Sequence, residues 1–320
     1  MCGIAGFLDP TCPSGEARAR LSLMLNRVAH RGPDGEGTHC ADGIAIGMRR
    51  LSIIDLEGGS QPIWNEDQTI GVIFNGELYN YVELTQELRG KGHHFRTHTD
   101  TEVLVHLYEQ CGEAMLSRLR GMFAFAILDM RQRRLFLARD HFGQKPLYYS
   151  AAAGRFAFAS ELKCLLTLPW VDDSRDPDAF LDFATWMSLP APRTHFRSIR
   201  KLPAGHFLSL PLTAESLPTP TCYWRYDLTT PPDLLSADAA GEEVDCIVRD
   251  SVRVHLRADV PVGVLLSGGL DSRMVSAYAQ ELQEGRMQTF TVGFGEADSE
   301  LPEAEKTARE IGSQHHTLEL

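Results

Sequence analysis

The sequence predicts a two-part α+β and α/β protein, with a layered sandwich first and the opening of a parallel sheet after it. Three observations predict it. Residues 122–129 and 135–139 form a hairpin whose first strand alternates Phe123, Phe125 and Ile127 with Ala124 and Ala126. Both faces are apolar, so that sheet is covered on both sides. Val103, Leu104, Leu107 and Tyr108 recur at helical spacing and supply a covering helix. From residue 243 the chain alternates helix and strand, which is the pattern of a parallel sheet.

The elements follow in order. The chain opens on Cys2-Gly3-Ile4-Ala5-Gly6-Phe7, and the first 168 residues read as short strands with few helices. Residues 43–48 and 69–74 are strand candidates, the second ending at Asn75-Gly76-Glu77. Helices are expected over 81–89 and 101–110, with Asp100 placed to cap the second beside Thr99 and Thr101. The hairpin turns through Arg131-Gln132-Arg133. Between 169 and 237 proline becomes dense, from Pro190 to Pro232, as in a stiff spacer. The expected division is a first domain over 2–210, a connector over 211–235 and a second domain over 236–320. In the last, a helix over 243–256 precedes an apolar strand over 260–266. The glycine-rich turn Ser267-Gly268-Gly269-Leu270-Asp271-Ser272 then leads into a helix over 273–282. A strand over 288–294, a helix over 302–311 and a strand starting at Thr317-Leu318 complete the list. The chain stops as its third strand begins, so this second sheet is expected to be incomplete.

Composition narrows the function. A hydrophobic content of 43% with 23% charged residues is that of an ordinary globular protein. No apolar run approaches the ~20 residues of a membrane span, and Asp9-Pro10 breaks up any secretory signal. Seven cysteines without a CxxC pair indicate neither a disulfide framework nor a zinc site, and point to a reducing cytoplasm. A net charge of −12 argues against nucleic acid as a partner. His93-His94 with His98, and His315-His316, read as structural or surface histidines, because no cysteine or carboxylate at ligand spacing completes a site.

Two stretches carry chemistry. Removal of Met1 would leave Cys2 as the amino terminus, with nucleophile and base on one residue. Its α-amine would take the thiol proton, and Gly3 and Gly6 would let backbone approach a ligand. The turn from Ser267 to Ser272 lies at the carboxyl end of a strand and opens a helix, where phosphate binds. Its glycines free backbone amides, its serines add hydroxyls, and Asp271 suits Mg²⁺. Taken singly, Asn75-Gly76 reads as a turn, Asp100 as a helix cap and Arg50 as a solvated cation.

The serine-glycine turn resembles the pyrophosphate loop of the N-type ATP pyrophosphatases. Cys2-Gly3-Ile4, His30-Arg31-Gly32-Pro33-Asp34, Arg50-Leu51-Ser52-Ile53-Ile54-Asp55, Asn75-Gly76-Glu77-Leu78-Tyr79-Asn80 and the segment from Asp140 to Tyr148 resemble the class-II glutamine amidotransferase domain. In this order on one chain, the two resemble the glutamine-hydrolysing asparagine synthetase family. The resemblance implies a four-layer αββα nucleophile-hydrolase sandwich followed by the nucleotide-binding sheet. It makes Cys2 the nucleophile on the glutamine side-chain amide, with Asn75 and Gly76 as the oxyanion hole. Arg50 would hold the α-carboxylate, Glu77 and Asp100 the α-ammonium, and the backbone of Arg50, Leu51, Ser52, Ile53 and Ile54 would line the pocket. Leu265 and Val292 would bracket adenine, with Ser267, Gly268, Gly269, Asp271 and Ser272 at the pyrophosphate.

The implied substrates are glutamine, aspartate and ATP with Mg²⁺. The implied products are asparagine, glutamate, AMP and pyrophosphate. Oligomeric state is open, with a homodimer as one option. Arg273, His141 and Gln144 depart from the family's usual residues. The family's remaining synthetase residues would fall beyond position 320, so the chain is expected to be an amino-terminal part. Two rival readings stay open: an amidotransferase with a sugar, peptide or other carboxylate as acceptor, and a binding or regulatory relative without turnover.

Overall fold

A computed structural model describes residues 1–213, 219–229, 235–295 and 300–320, which form two compact units, Met1–Tyr226 and Asp227–Leu320. The first unit begins with β1 (Gly3–Leu8), α1 (Ser14–Asn26), β2 (Gly35–Ala41), β3 (Ile44–Arg50), β4 (Ile63–Trp64) and β5 (Ile70–Leu78). Next come α2 (Tyr81–Gly90), α3 (Glu102–Cys111), β6 (Gly121–Asp129), β7 (Arg134–Arg139), β8 (Tyr148–Ala152) and β9 (Arg155–Ala159). It finishes with α4 (Leu162–Leu165), α5 (Pro177–Trp186), β10 (Ile199–Lys201), β11 (His206–Pro211) and β12 (Thr221–Cys222).

These strands make two antiparallel sheets, in the orders β10-β8-β9-β1-β3-β2 and β12-β11-β7-β6-β5-β4. Three apolar cores fix the layering. Ile4, Ile46 and Phe158 of the first sheet pack with Ile73, Ala126 and Leu137 of the second, so the sheets face each other. Phe74, Phe123 and Phe125 on the other side of the second sheet bury against Leu88, Leu104 and Leu107 of α2 and α3. Phe7, Ala45 and Ala157 on the far side of the first sheet pack with Leu21, Met24 and Leu25 of α1 and Leu165 of α4. The result is the four-layer αββα sandwich. As expected, β6 is buried on both faces, from Phe123 to Asp129.

Gly6 has a different role from the one its sequence suggested. A Cβ there would lie 2.7 Å from Ala45 O and 2.6 Å from the Phe158 ring. Close packing within the sandwich, and not ligand approach, requires it. Of the stretch expected to be connector, 214–218 and 230–234 lie outside the described residues, with Pro218, Pro231 and Pro232 among them. The described remainder is partly sheet. β12 pairs with β11, and Tyr223 donates its hydroxyl to Arg139 O at 2.8 Å.

In the second unit, α6 (Ala237–His255), β13 (Gly263–Leu265), α7 (Leu270–Leu282), β14 (Gln288–Gly293), α8 (Leu301–Ile311) and β15 (Gln314–Glu319) alternate as predicted. The three strands pair in parallel in the order β13-β14-β15. No helix among the described residues is long and apolar enough to cross a membrane.

Candidate active site

Strand alternation selects the side chains that reach the layer between the two sheets. On β5, Ile73 belongs to the inter-sheet core and Phe74 to the core under the helices. A period of two therefore carries Asn75 and Glu77 onto the Ile73 side. Cys2, one residue ahead of β1, packs against that same inter-sheet core. Leu51 N–H donates to Cys2 Sγ at 3.4 Å, and the thiol lies 3.6 Å from Leu51 O. Arg31 Nε donates to the Cys2 carbonyl at 2.9 Å while its Nη1 pairs with Glu161 at 3.1 Å. Asp34 Oδ2 accepts from Ser52 N–H at 2.8 Å, tying the His30–Asp34 motif to the loop after β3.

Burial dominates the electrostatics. It raises the Cys2 thiol above its ordinary value, with Glu77 and Asp100 adding to the rise and the Leu51 backbone and the amino terminus opposing it. The Met1 amine beside it is lowered, again chiefly by burial. Burial and then the nearby Asp100 charge push Glu77 up to about 8. Asp100 is raised by burial against the pull of Leu78 N–H, which donates to its Oδ2 at 2.8 Å. Two carboxyls so placed share protons as a pair, and neither titrates alone. Both rises come first from burial, which penalises the charged carboxylates, while Lys145 and the amino terminus pull Glu77 the other way.

Asn75 is fully buried, and neither its Nδ2 nor its Oδ1 has a hydrogen-bond partner among the described residues. An amide buried in that way is costly unless something else completes it. Gly76 lies opposite Phe123 in the ladder, and a Cβ there would come within 2.2 Å of Met122 O. The turn suggested by Asn75-Gly76 alone is therefore overturned: both sit inside β5 and pair with β6. The cap suggested for Asp100 is overturned too. Thr101 holds the cap position of α3 without a side-chain bond, and Asp100 turns to Leu78 instead.

Arg50 is buried, not solvated. Its Nη1 donates to Leu56 O at 3.2 Å, and its Nη2 to Ile54 O at 3.0 Å and Asp55 O at 2.6 Å. It shapes the 51–56 loop from inside. A cleft lined by Asp34, Met48, Arg50, Ser52, Leu56 and Gln61 opens on that side. The structure thus brings Cys2, Leu51, Asn75, Gly76, Glu77 and Asp100 to one region, with Arg50, Ser52 and Ile54 on the adjoining loop.

Sequence reasoning gave no role to Lys145, which is 5% exposed. Burial lowers its ammonium, while Glu77 and Cys2 raise it and Arg31 opposes them. Asp140 sets the backbone there, its carboxylate accepting from Gln144 N at 2.9 Å and Lys145 N at 3.0 Å. The Asp140–Tyr148 motif contained the signal, but no pattern told a buried lysine from a surface one. His141 is explained by its neighbours, since its ring meets Tyr223 and Trp224 edge-on.

In the second unit the serine-glycine turn joins β13 to α7. Ser267 and Ser272 hydroxyls meet at 2.8 Å, and Ser267 N donates to Ser272 Oγ at 3.1 Å. Gly268 N–H donates to Glu300 Oε2 at 3.2 Å, so a carboxylate already occupies one amide of the turn. Gly269 N–H turns to Ser267 Oγ at 3.3 Å. Asp271 lies in the first turn of α7. Leu265 and Val292 are exposed, at 78% and 42%, and are not the core residues that an apolar strand suggests. Arg273 pairs with Glu303 at 3.0 Å.

A sandwich of this layering, with a cysteine at the start of its first central strand, is that of the nucleophile-hydrolase amidotransferases. A family model described as a glutamine amidotransferase domain matches residues 1–224, and one described as asparagine synthase matches 243–320. The chain belongs to the glutamine amidotransferase domain family. Its relatives include asparagine synthetase [glutamine-hydrolyzing] 1 of Bacillus subtilis, 38% identical over 98% of this chain and 49% of the relative. A putative asparagine synthetase of Mycobacterium tuberculosis is 39% identical over 98% of this chain and 51% of its own. Asparagine synthetase 2 of Arabidopsis thaliana is 36% identical over 100% of this chain and 51% of its own. The chain thus spans about half the length of the curated relatives it matches. Among solved structures, glutamine phosphoribosylpyrophosphate amidotransferase of B. subtilis covers 99% of this chain and 65% of its own, with a TM-score of 0.51 at 19% identity. That likeness shows the fold.

Proposed function

We propose that this chain carries the glutamine-hydrolysing half of an asparagine synthetase, together with the start of its nucleotide-charging half. The observation that carries the reading is the buried, partnerless amide of Asn75 on the same strand face as Glu77, in the layer that holds Cys2. Once Met1 is removed, the α-amine of Cys2 takes the thiol proton. The sulfur then attacks the side-chain amide carbon of glutamine. Asn75 Nδ2 and Gly76 N–H stabilise the oxyanion, ammonia leaves with a proton, and water splits the γ-glutamyl thioester to give glutamate. The α-ammonium takes the place of the proton held between Glu77 and Asp100. Arg50 keeps a fixed positive charge behind the loop that receives the α-carboxylate, and Lys145 offsets the acids beside Cys2.

In the whole protein the ammonia would aminate a β-aspartyl adenylate made from aspartate and ATP, releasing asparagine, AMP and pyrophosphate. The turn from Ser267 to Ser272 fits triphosphate as substrate, because its amides and hydroxyls converge and Glu300 already stands where an anion belongs. Leu265 and Val292 offer exposed apolar faces to adenine. Asp271 would hold Mg²⁺, which neutralises phosphate charge when bound. Seven free cysteines support a reducing, cytoplasmic setting.

The test is glutamate release from glutamine by the purified chain, with Cys2→Ala as control. We expect turnover in the first and none in the second; equal rates would end the reading. A longer chain offered aspartate against sugar and peptide acids, with products read by mass spectrometry, decides the acceptor.

A further inference from the structure

The sequence pairs His93-His94 and His98 suggested no metal, because no carboxylate follows at ligand spacing. The fold corrects this by bringing carboxylates from elsewhere. Glu66 after β4, His93 in the loop after α2, and His106 with Glu109 on α3 present ligand atoms that all lie within 4.8 Å of one another. His106 and Glu109 are three apart on one helix, so they share a face. We propose that Glu66, His93, His106 and Glu109 form a zinc site in the amidotransferase unit, remote in function from Cys2 chemistry.

Geometry argues for it first. Tetrahedral zinc with bonds of about 2.0–2.1 Å holds neighbouring donors about 3.3 Å apart. His106 Nδ1 lies 3.5 Å from Glu66 Oε2, and His93 Nδ1 lies 3.8 Å from both Glu66 Oε1 and Glu109 Oε2. Those edges need to shorten by a few tenths of an ångström around an ion, and the widest separation in the cluster, at most 4.8 Å, by up to about 1.5 Å.

The second observation is independent. His106 is fully buried, yet neither ring nitrogen makes a hydrogen bond among the described residues. Its Nδ1 aims into the cluster, and its Nε2 faces Glu102 Oε1 at 3.6 Å. With the Glu102 carboxyl behind the ring at Nε2, Nδ1 is the nitrogen that faces the cluster, the arrangement of a carboxylate–histidine–metal relay. His93 repeats it: its Nε2 lies 3.4 Å from Gln110 Oε1 while Nδ1 faces the carboxylates.

Outer contacts also hold the acids. Glu66 Oε1 accepts from His94 N–H at 2.8 Å, and Glu109 Oε1 from Arg131 Nη1 at 2.8 Å. Two carboxylates and two neutral imidazoles cancel a divalent charge. Imidazole with carboxylate favours zinc over calcium or magnesium. Glu66 and Glu109 side chains are 33% and 22% exposed, which leaves an entry path.

The test uses the full chain, stripped with a chelator, dialysed against zinc chloride, desalted and counted by mass spectrometry. Zinc retained at about one per chain, falling at least tenfold in His93→Ala and in Glu109→Gln, is the expected result. Those two positions are chosen because His106→Ala would empty a buried space and unfold the helix. Circular dichroism confirms that each variant folds. Zinc should also raise the Tm of the native chain and leave that of the variants unmoved. Cobalt in place of zinc should give a tetrahedral visible spectrum with no sulfur charge-transfer band. No zinc retained by the native chain, or equal zinc in native chain and folded variants, overturns the proposal. So would a cobalt spectrum showing cysteine ligands. Glutamine turnover in the same samples reads the Cys2 assignment separately.

Discussion

At the scale of single residues, Asn75 carries the sharpest expectation. Removing one oxyanion donor costs about 10²–10³ in kcat. Asn75→Ala should therefore lose that much with little change in KM, as steady-state glutaminase assays will read. Gly76→Ala should act differently, because the new methyl meets backbone at 2.2 Å from Met122 O. Overpacking of that kind costs about 1–3 kcal/mol, visible as a lower urea midpoint. Glu77 gives a pH signature. Burial and the Asp100 charge push its carboxyl up to about 8 against 4.5 ordinarily, so the folded chain's Glu77–Asp100 pair binds more protons between those values. Stability from this group is therefore greatest at low pH and falls as pH rises through that window. Glu77→Gln should be more stable than the native chain at about pH 8.5 and similar at about pH 4, while losing affinity for glutamine. Binding of glutamine near neutral pH should release protons, measurable by calorimetry in buffers of different ionisation enthalpy.

At the scale of elements, the inter-sheet core sets the spacing between Cys2 and β5. Leu137 is fully buried there, so Leu137→Ala should cost about 2–5 kcal/mol in denaturant unfolding and slow turnover by loosening that spacing. Much of this level was legible in the sequence. The β6–β7 hairpin, α2, α3 and the alternation after residue 243 follow from periodicity and strand burial, which depend on neighbours in the chain. α1 was not read, although Ala17, Leu21, Met24 and Leu25 recur at helical spacing and are buried. The exposed Leu23 blurs that stripe. Asn75-Gly76 was legible only by resemblance, since the pairing with β6 that removes the turn comes from residues 121–129. Lys145 and the Glu66–His106 cluster were beyond the sequence for the same reason. Their chemistry depends on contacts between segments far apart along the chain.

At the scale of the molecule, the boundary between units makes a testable difference. The first unit runs to Tyr226, because β12 pairs with β11 and Tyr223 bonds to Arg139 O. A chain ending at 226 should fold and hydrolyse glutamine, whereas one ending at 210 should melt earlier; differential scanning calorimetry of the two compares them directly. In the second unit the Gly268 amide is already committed to Glu300. On the proposed reading, an incoming triphosphate would have to displace that carboxylate from the Gly268 amide. Nucleotide capture becomes gated from within, so Glu300→Gln would speed association in stopped-flow mixing while leaving the rest of the turn untouched.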